Sequence, residues 1–317
     1  MTKEELRTEY TRLSFPETIK DINDLMDIYL EYLFLVMMNH ENDKVKTLAE
    51  RDAKMINQMM FTKTAHLKEV IKGVEYTSKE DMKLNKIIDP TIVAVLTRNI
   101  FETVAMFNIV NVQPQNDDEK LILYNLWAIA GLKYRQSFVD DTSIEENKQK
   151  AKDEYNQIME YTRQIEQTNL YQNLSVKNQH KIKTQIKDKD YKIKFSEDKI
   201  DFLGWPTAMQ LTGVKEKIMG KLYTYFSLYA HPSNVSVFQF AGLFQSGKED
   251  YITMTLFNSR YIFILLSIFI ADYIKVFPNS LMVFNKLPIV HQIVINSINT
   301  MARNESYSIN DSVKNLI

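Results

Sequence analysis

The chain has no cysteine, and it is poor in glycine and proline. The absence of cysteine excludes disulfides, thiolate metal sites and cysteine nucleophiles. Only 7 Gly and 7 Pro occur among 317 residues, whereas all-β and doubly wound α/β folds of this size need many turn residues. The sequence therefore predicts an all-α protein.

The common catalytic motifs are also missing. The glycines form neither a G-x-G-x-x-G sequence nor a P-loop, which argues against nucleotide binding through a glycine-rich loop. None of the 5 histidines belongs to an H-E-x-x-H or E-x-x-H motif, and no G-x-S-x-G is present. We accordingly expect no metal ion and no other cofactor.

The chain shows neither a surplus of charge nor a long apolar run. Lys+Arg 39 against Asp+Glu 40 gives a net charge of -1, so the overall charge does not favour a polyanionic partner. The first ten residues are charged and do not resemble a secretory signal. The most apolar run, 261–271, is shorter than the roughly 20 residues that span a bilayer, which predicts a buried helix. These features predict a cytoplasmic protein without membrane contact.

Apolar residues recur with helical spacing along most of the chain, which predicts one helical domain over 1–317. Helices are predicted over about 14–39, 45–72, 90–112, 116–139, 142–167, 214–230, 235–244, 248–276 and 287–303. The first of these is predicted to begin at Ser14 as its cap. Residues 142–200 are charged and rich in lysine, which predicts a projecting helical hairpin or insertion. Residues 191–195 are the only short candidate for a strand.

The predicted helix 90–112 is apolar on nearly every side, yet it carries Arg98 and Glu102. Because these residues are four apart, they lie on one face of the helix. Burying a charge pair seldom stabilises a protein, so we expect the pair to be buried for a reason. Either Arg98 binds an anion and Glu102 orients it, or the two residues form a structural salt bridge.

A second candidate is His231, which Pro232 places at the end of the helix 214–230, because the residue before a proline disfavours helix. A histidine beside hydroxyl groups at a helix end can act as a general acid or base. The alternative is that it caps the last carbonyl groups of the helix.

The same helix carries a stripe of small and polar residues, Gly220, Thr224 and Ser227, where another helix can approach closely. The charge of Arg98 needs a polar neighbour, and few other predicted core helices offer such a stripe. We therefore expect Arg98 and Glu102 to lie beside His231.

Two motifs resemble those of a bacterial family of helical proteins that is grouped with the HEPN-like superfamily. They are R-x-x-x-E at Arg98 and Glu102 and Y-x-x-x-S-x-x-x-H at Tyr223, Ser227 and His231. The resemblance covers roughly 52–270. It implies a helical bundle, commonly dimeric, and a metal-independent ribonuclease of the kind found in toxin–antitoxin and phage-defence systems. The usual HEPN signature, R-x4-6-H, lies on one helix, whereas here Arg98 must reach the histidine from another helix.

The resemblance implies that Arg98, Glu102 and His231 are catalytic. His231 is then the base or acid, Arg98 stabilises the phosphate charge and Glu102 holds the guanidinium. Tyr223, Ser227 and Asn234 are expected to support them.

The implied partners are RNA, an antitoxin or another defence-system protein, and a second copy of the chain. Four lysines are candidates for contacts to RNA phosphates: Lys177, Lys181, Lys183 and Lys187. The acidic residues among them also fit a solvated arm that binds nothing. The alternative to an enzyme is a non-catalytic helical binding or interaction module, in which the same three polar residues form a structural network.

Overall fold

The computed structural model of the chain describes residues 2–40, 44–140, 142–197, 199–231, 233–244 and 250–316. These residues form fifteen α-helices and two short antiparallel hairpins. The prediction of an all-α protein is confirmed. Pro232, on which the predicted helix end at His231 was based, lies outside the described residues.

The chain divides into two compact units, one formed by Met1–Ala105 with Thr212–Ile317 and the other by Met106–Leu211. Compact units within one chain do not by themselves define domain boundaries. The predicted single domain over 1–317, with an insertion at 142–200, therefore stays a prediction.

The first unit contains the two ends of the chain. Its elements are α1 (Lys3–Ser14), α2 (Ile19–Asn39), α3 (Leu48–Lys72), β1 (Val74–Thr77), β2 (Lys83–Ile87), most of α4 (Pro90–Phe107), α10 (Glu216–Met219), α11 (Leu222–Ala230), α12 (Asn234–Leu243), α13 (Asp250–Val276), α14 (Ser280–Lys286), α15 (Ile289–Ala302) and two 3₁₀ turns (Glu305–Tyr307 and Asp311–Leu316). The hairpin β1–β2 and the helices α1 and α14 had no predicted counterpart.

The second unit begins within α4, which continues as a π-helical turn at Asn108–Val112. It then contains α5 (Asp117–Gln136), α6 (Glu145–Gln167), α7 (Asn169–Asn173), α8 (Val176–Asp188), β3 (Ile193–Ser196), β4 (Lys199–Phe202) and α9 (Trp205–Gln210). Helix α5 packs against α6, and β3 pairs with β4. The predicted strand at 191–195 thus overlaps the observed β3.

Side-chain caps explain where several helices begin. Thr18 accepts the backbone N–H of Asp21, and the Asp21 carboxylate accepts the N–H of Thr18 in return. This capping box starts α2 at Ile19, so the prediction of Ser14 as the cap was wrong, and Ser14 instead ends α1. Helix α3 ends as predicted before Gly73, whose φ of 81° is strained for residues with a side chain.

The core of the first unit lies where α13 packs against α2 and α15. Tyr29 of α2 stacks on Phe263 of α13, and its hydroxyl lies 2.6 Å from Oγ of Ser267. All three side chains are buried. The apolar run 261–271 is therefore a core segment of α13, as its composition predicts.

Among the residues that the structure describes, two helical stretches are long and apolar enough to cross a membrane: Pro90–Val112 and Asp250–Val276. Each has 67% of its most apolar window buried within the protein, as is usual for core helices of globular proteins. The run 261–271 is by itself too short to span a bilayer, but the helix that contains it has 27 residues. The length of the run alone therefore does not exclude a membrane span. The expected cytoplasmic location stays a prediction.

Candidate functional site

Helix α4 holds Arg98 and Glu102 on a backbone that is fixed at its start. The Oδ1 atom of Asp89 accepts the N–H of Thr91 at 2.8 Å, and Asn258 of α13 donates to the Pro90 carbonyl at 3.2 Å. Within the first unit, α4 buries a set of apolar residues that includes Val93, Ala94, Ile100, Phe101, Val104 and Ala105. The packing of these apolar residues therefore fixes the orientation of the α4 face that carries Arg98 and Glu102.

Helix α11 places His231 directly beyond its last residue. The predicted helix 214–230 is interrupted, because α10 ends at Met219 and α11 begins at Leu222. His231 is extended, with φ -114° and ψ 142°, and its N–H donates to the Ser227 carbonyl at 3.3 Å. The prediction that His231 lies at the helix end is confirmed.

Four side chains of the first unit, Arg98, Glu102, Tyr223 and His231, meet in what we name the Arg98 cluster. Arg98 Nε donates to Glu102 Oε1 at 3.0 Å, and Arg98 Nη2 donates to the Tyr223 hydroxyl at 2.8 Å. Arg98 Nη1 lies 3.4 Å from His231 Nε2. The Tyr223 hydroxyl donates to Glu102 Oε1 at 3.3 Å. The expected meeting of Arg98, Glu102 and His231 is thus observed, while their catalytic role stays a prediction.

A hydrogen bond between Arg98 Nη1 and His231 Nε2 needs the ring nitrogen as its acceptor, because a guanidinium has five N–H donors and no acceptor. The tautomer that permits this bond is the one with its proton on Nδ1, with Nε2 facing the cation.

The aromatic ring of Tyr223 also positions the guanidinium. Arg98 Cζ lies 4.9 Å from the centroid of this ring, which is within the range of a cation–π interaction. On the α4 side, Phe101 packs against Tyr223 with ring centroids 5.5 Å apart. Tyr223 therefore holds Arg98 by both its hydroxyl and its ring.

The charge pair is only partly buried. The side chains of Arg98 and Glu102 are 22% and 27% exposed, so the expectation that both are buried was wrong. Burial lowers the pKa of Arg98, but Glu102 and Tyr223 more than offset this and the pKa is raised. Burial, together with the charge of Glu102, raises the pKa of Tyr223. At neutral pH Arg98 is therefore charged and Tyr223 is protonated.

The predicted stripe of small residues does not meet Arg98. Ser227 Oγ donates to the carbonyl of Tyr223 at 2.6 Å, within its own helix. Thr224 is exposed. Asn234 is the first residue of α12 and is exposed. Tyr223, and not the stripe, meets the guanidinium, because the bulky ring fills the space between α11 and α4.

No sequence pattern pointed to Lys63, which lies on α3 beside this site. Its Nζ donates to Thr103 Oγ1 of α4 at 2.7 Å, in a half-buried position. Burial lowers the pKa of Lys63, and the charge of Glu102 acts in the opposite direction. A second cation therefore interacts electrostatically with Glu102. Only the packing of α3 against α4 brings these residues together.

The four lysines proposed for RNA lie on α8 in the second unit. Lys181 donates to the carbonyl of Ile200 and so fastens α8 to β4. Lys183 pairs with Glu166 at 3.8 Å, while Lys177 and Lys187 are exposed. Lys181 is thus engaged within the protein, and a contact of any of the four with RNA stays a prediction.

Within the described part of the chain, no group of three or more His, Asp or Glu residues is arranged to hold a metal ion. No protein-family model, curated protein or solved structure matches the chain. The HEPN-like resemblance therefore rests on its motif residues, and the arguments for function rest on the Arg98 cluster.

Proposed function

We propose that the chain is a HEPN-like, metal-independent endoribonuclease and that the Arg98 cluster is its active site. The observation that carries this proposal is the 3.4 Å separation of Arg98 Nη1 from His231 Nε2, beside an exposed imidazole. Cleavage of RNA through its own 2′-hydroxyl needs a base for that hydroxyl and a cation for the phosphate. A neutral imidazole next to a guanidinium supplies both.

In the proposed reaction, a non-bridging oxygen of the phosphate takes the place of His231 Nε2 as acceptor for Arg98 Nη1. Nε2 then accepts the proton of the 2′-hydroxyl while the 2′-oxygen bonds to phosphorus. The bond from phosphorus to the 5′-oxygen breaks, and the 5′-oxygen takes a proton from water. The products are a 2′,3′-cyclic phosphate and a 5′-hydroxyl.

The other side chains of the cluster orient the guanidinium. Glu102 Oε1 accepts from Arg98 Nε, and the hydroxyl of Tyr223 accepts from Arg98 Nη2. These two bonds fix the plane of the guanidinium before substrate binds and leave Nη1 for the phosphate. Such preorganisation of a cation contributes to catalysis because no rearrangement is needed in the transition state.

One observation favours the alternative of a non-catalytic module with a structural network. All three nitrogens of Arg98 have partners within the protein, as in a network that needs no ligand. The exposure of His231 favours the enzyme instead, because a purely structural network gains from being sealed from water.

The decisive experiment incubates the purified protein with total RNA in EDTA and analyses the product ends. We expect cleavage with 2′,3′-cyclic phosphate and 5′-hydroxyl ends, and no cleavage by His231→Ala. The matched control is His66→Ala, which removes an exposed histidine of α3 and should cleave like the wild type. Thermal unfolding of both variants establishes that the fold is intact.

Absence of cleavage by the wild-type protein under these conditions, or equal cleavage by His231→Ala, contradicts the proposal. The first result favours the non-catalytic module, and the second assigns the activity to another site or to a contaminant.

A further inference from the structure

An open pocket of about 330 Å³ lies in the first unit between α4, α11 and α12. Six residues line it: Thr91, Tyr229, Ala230, Ser236, Val237 and Phe240. The Phe240 ring is 42% exposed although it packs edge-to-face on Phe244 at 5.0 Å. The pocket thus combines aromatic residues with the aliphatic hydroxyl groups of Thr91 and Ser236, while the Tyr229 hydroxyl donates to Gln239.

The pocket adjoins the Arg98 cluster through the backbone of His231. Ala230 precedes His231 in the chain, and Ser236 Oγ lies 3.4 Å from the His231 carbonyl oxygen. On α4, Thr91 is seven residues before Arg98, which places the two on one face about 10 Å apart along the axis. A chain that presents its phosphate to Arg98 therefore has the pocket directly beside it.

We propose that this pocket binds one base of a single-stranded RNA whose phosphate lies at the Arg98 cluster. The inference rests on the proposed ribonuclease function and adds the site that selects the substrate. Bases of single strands bind by stacking on aromatic side chains, with polar groups at their edges. Phe240 provides the stacking surface, and the cavity is large enough for a purine or a pyrimidine.

The hydroxyl groups of the pocket favour bases that carry an amino group. Thr91 Oγ1 donates its proton to Asp89 Oδ1 at 2.7 Å, and Ser236 Oγ donates its proton to the Ser233 carbonyl at 2.8 Å. A carboxylate and a carbonyl can only accept, so the Thr91 oxygen is left as an acceptor, and the Ser236 oxygen, which also accepts from Ser233 Oγ at 3.3 Å, keeps one lone pair. Adenine and cytosine carry an exocyclic amino group that can donate to them, whereas uracil has a carbonyl group at that position and can donate only through its ring N3–H.

The test measures binding of single strands that cannot be cleaved. The probes are 5′-fluorescein-labelled, 2′-O-methylated 12-nucleotide oligo(A), oligo(C) and oligo(U), titrated with the wild-type protein and followed by fluorescence anisotropy. We expect oligo(A) and oligo(C) to bind more tightly than oligo(U). Phe240→Ala removes the stacking ring, and Ala230→Leu fills the pocket. Each should weaken the tighter complexes by about tenfold, as loss of one stacked base does.

The matched control is Phe238→Ala, which removes a ring of α12 that is 75% exposed but does not line the pocket. It should change the affinity by less than about twofold, since stacking outside the pocket contributes little to the proposed site. Thermal unfolding identifies any variant that fails to fold, and Ala230→Leu tests the pocket if Phe240→Ala does not fold.

Several results overturn the inference. These are no binding of any probe, unchanged affinity in both folded pocket variants, an equal loss in Phe238→Ala, or tightest binding of oligo(U). A dimer in sedimentation that Phe240→Ala dissociates overturns it as well, because the pocket is then a protein interface. If the protein cleaves RNA but the pocket variants bind the probes as the wild type does, only the proposal of a base-binding pocket is refuted. If binding depends on Phe240 but no RNA is cleaved, only the proposed ribonuclease activity is refuted.

Discussion

Arg98 Nη1 and His231 Nε2 lie 3.4 Å apart although 133 residues separate them in the chain. One residue is fixed in the middle of α4 and the other directly follows α11, so the contact depends on the packing of two helices that are distant in sequence. A hydrogen bond between the two requires Nε2 to accept, since a guanidinium only donates, and the tautomer with its proton on Nδ1 is the one that permits this bond. This is the arrangement on which the proposed chemistry depends.

Replacing Arg98 should impair cleavage far more than folding. Arg98→Ala removes the cation that stabilises the phosphate, and loss of such a group lowers the rate by about 10²–10³-fold. Because the pair with Glu102 is partly exposed, we expect a loss of only about 1 kcal/mol in the free energy of unfolding. Initial cleavage rates and urea unfolding measure the two effects.

The control for this variant is Arg163→Ala, which removes the guanidinium of an exposed i,i+3 pair with Glu160. It should leave both the rate and the stability unchanged within error. An Arg98→Ala protein that cleaves RNA at the wild-type rate would show that the pair is incidental to the activity.

Tyr223→Phe should distinguish the role of the Tyr223 hydroxyl in positioning Arg98 from the role of the Tyr223 ring in packing. The variant keeps the ring that contacts Arg98 and Phe101 but removes the hydroxyl that bonds Arg98 Nη2 and Glu102. One lost hydrogen bond corresponds to about 1 kcal/mol, so we expect the cleavage rate to fall roughly fivefold with little change in the melting temperature. Tyr76→Phe, on the exposed strand β1, is the control. A larger loss of stability than of rate would assign Tyr223 a structural role alone.

The sequence predicted those features that are encoded locally. Low glycine and proline content and helical spacing predicted the helical class, and the pattern after Pro90 predicted the course of α4. Gly73 marked the end of α3. A local signal was misread at Ser14, because the capping box Thr18–Asp21 lies only a few residues further on and was overlooked.

Features that depend on packing between distant segments were predicted only in part. The charge of Arg98 required a polar neighbour, and this argument led to His231. It did not lead to Tyr223, which only the resemblance named, as a supporting residue, because a tyrosine at helical spacing is usually a core residue. It did not lead to Lys63 either, because the closeness of α3 to α4 is not visible in either segment alone. Likewise, the partial exposure of the Arg98–Glu102 pair could not be predicted from an apolar helix pattern.

The buried ion pair of Arg303 and Asp272 should be important for stability. The Arg303 Nη2 to Asp272 Oδ1 distance is 2.7 Å, and the side chains are only 1% and 4% exposed. Arg303→Leu leaves a buried carboxylate without its cation, which typically costs about 3–5 kcal/mol. We therefore expect a large fall in the free energy of unfolding by urea.

The double variant Arg303→Leu/Asp272→Leu should recover much of this loss, because it removes both buried charges. The exposed pair Lys314–Asp311, with side chains 74% and 83% exposed, provides the control variant Lys314→Ala, which should match the wild type. If Arg303→Leu unfolds at the wild-type urea concentration, the ion pair does not stabilise the protein.

The contact of α1 with α2 should weaken in acid. Arg12 of α1 lies 2.7 Å from Asp21 and 2.8 Å from Asp24 of α2. The pKa of Asp21 is lowered, first by the Thr18 hydroxyl and then by Arg12, and the pKa of Asp24 is lowered, first by Lys20 and then by Arg12. A carboxyl group whose pKa is lower in the folded than in the unfolded protein stabilises the fold at any pH above its unfolded pKa, near 4. This stabilisation is lost as the pH falls through the folded pKa.

Arg12→Met should therefore destabilise the protein by about 1 kcal/mol at pH 7, allowing for solvent screening of the partly exposed guanidinium. The difference from the wild type should shrink as the carboxyl groups become protonated, toward about pH 3. Urea unfolding of both proteins at the two pH values measures it, with Arg163→Met as the control for an exposed guanidinium in a pair within one helix. An equal difference at both pH values would mean that Arg12 acts through the packing of its aliphatic stem, since packing does not titrate, and not through the carboxylates of α2.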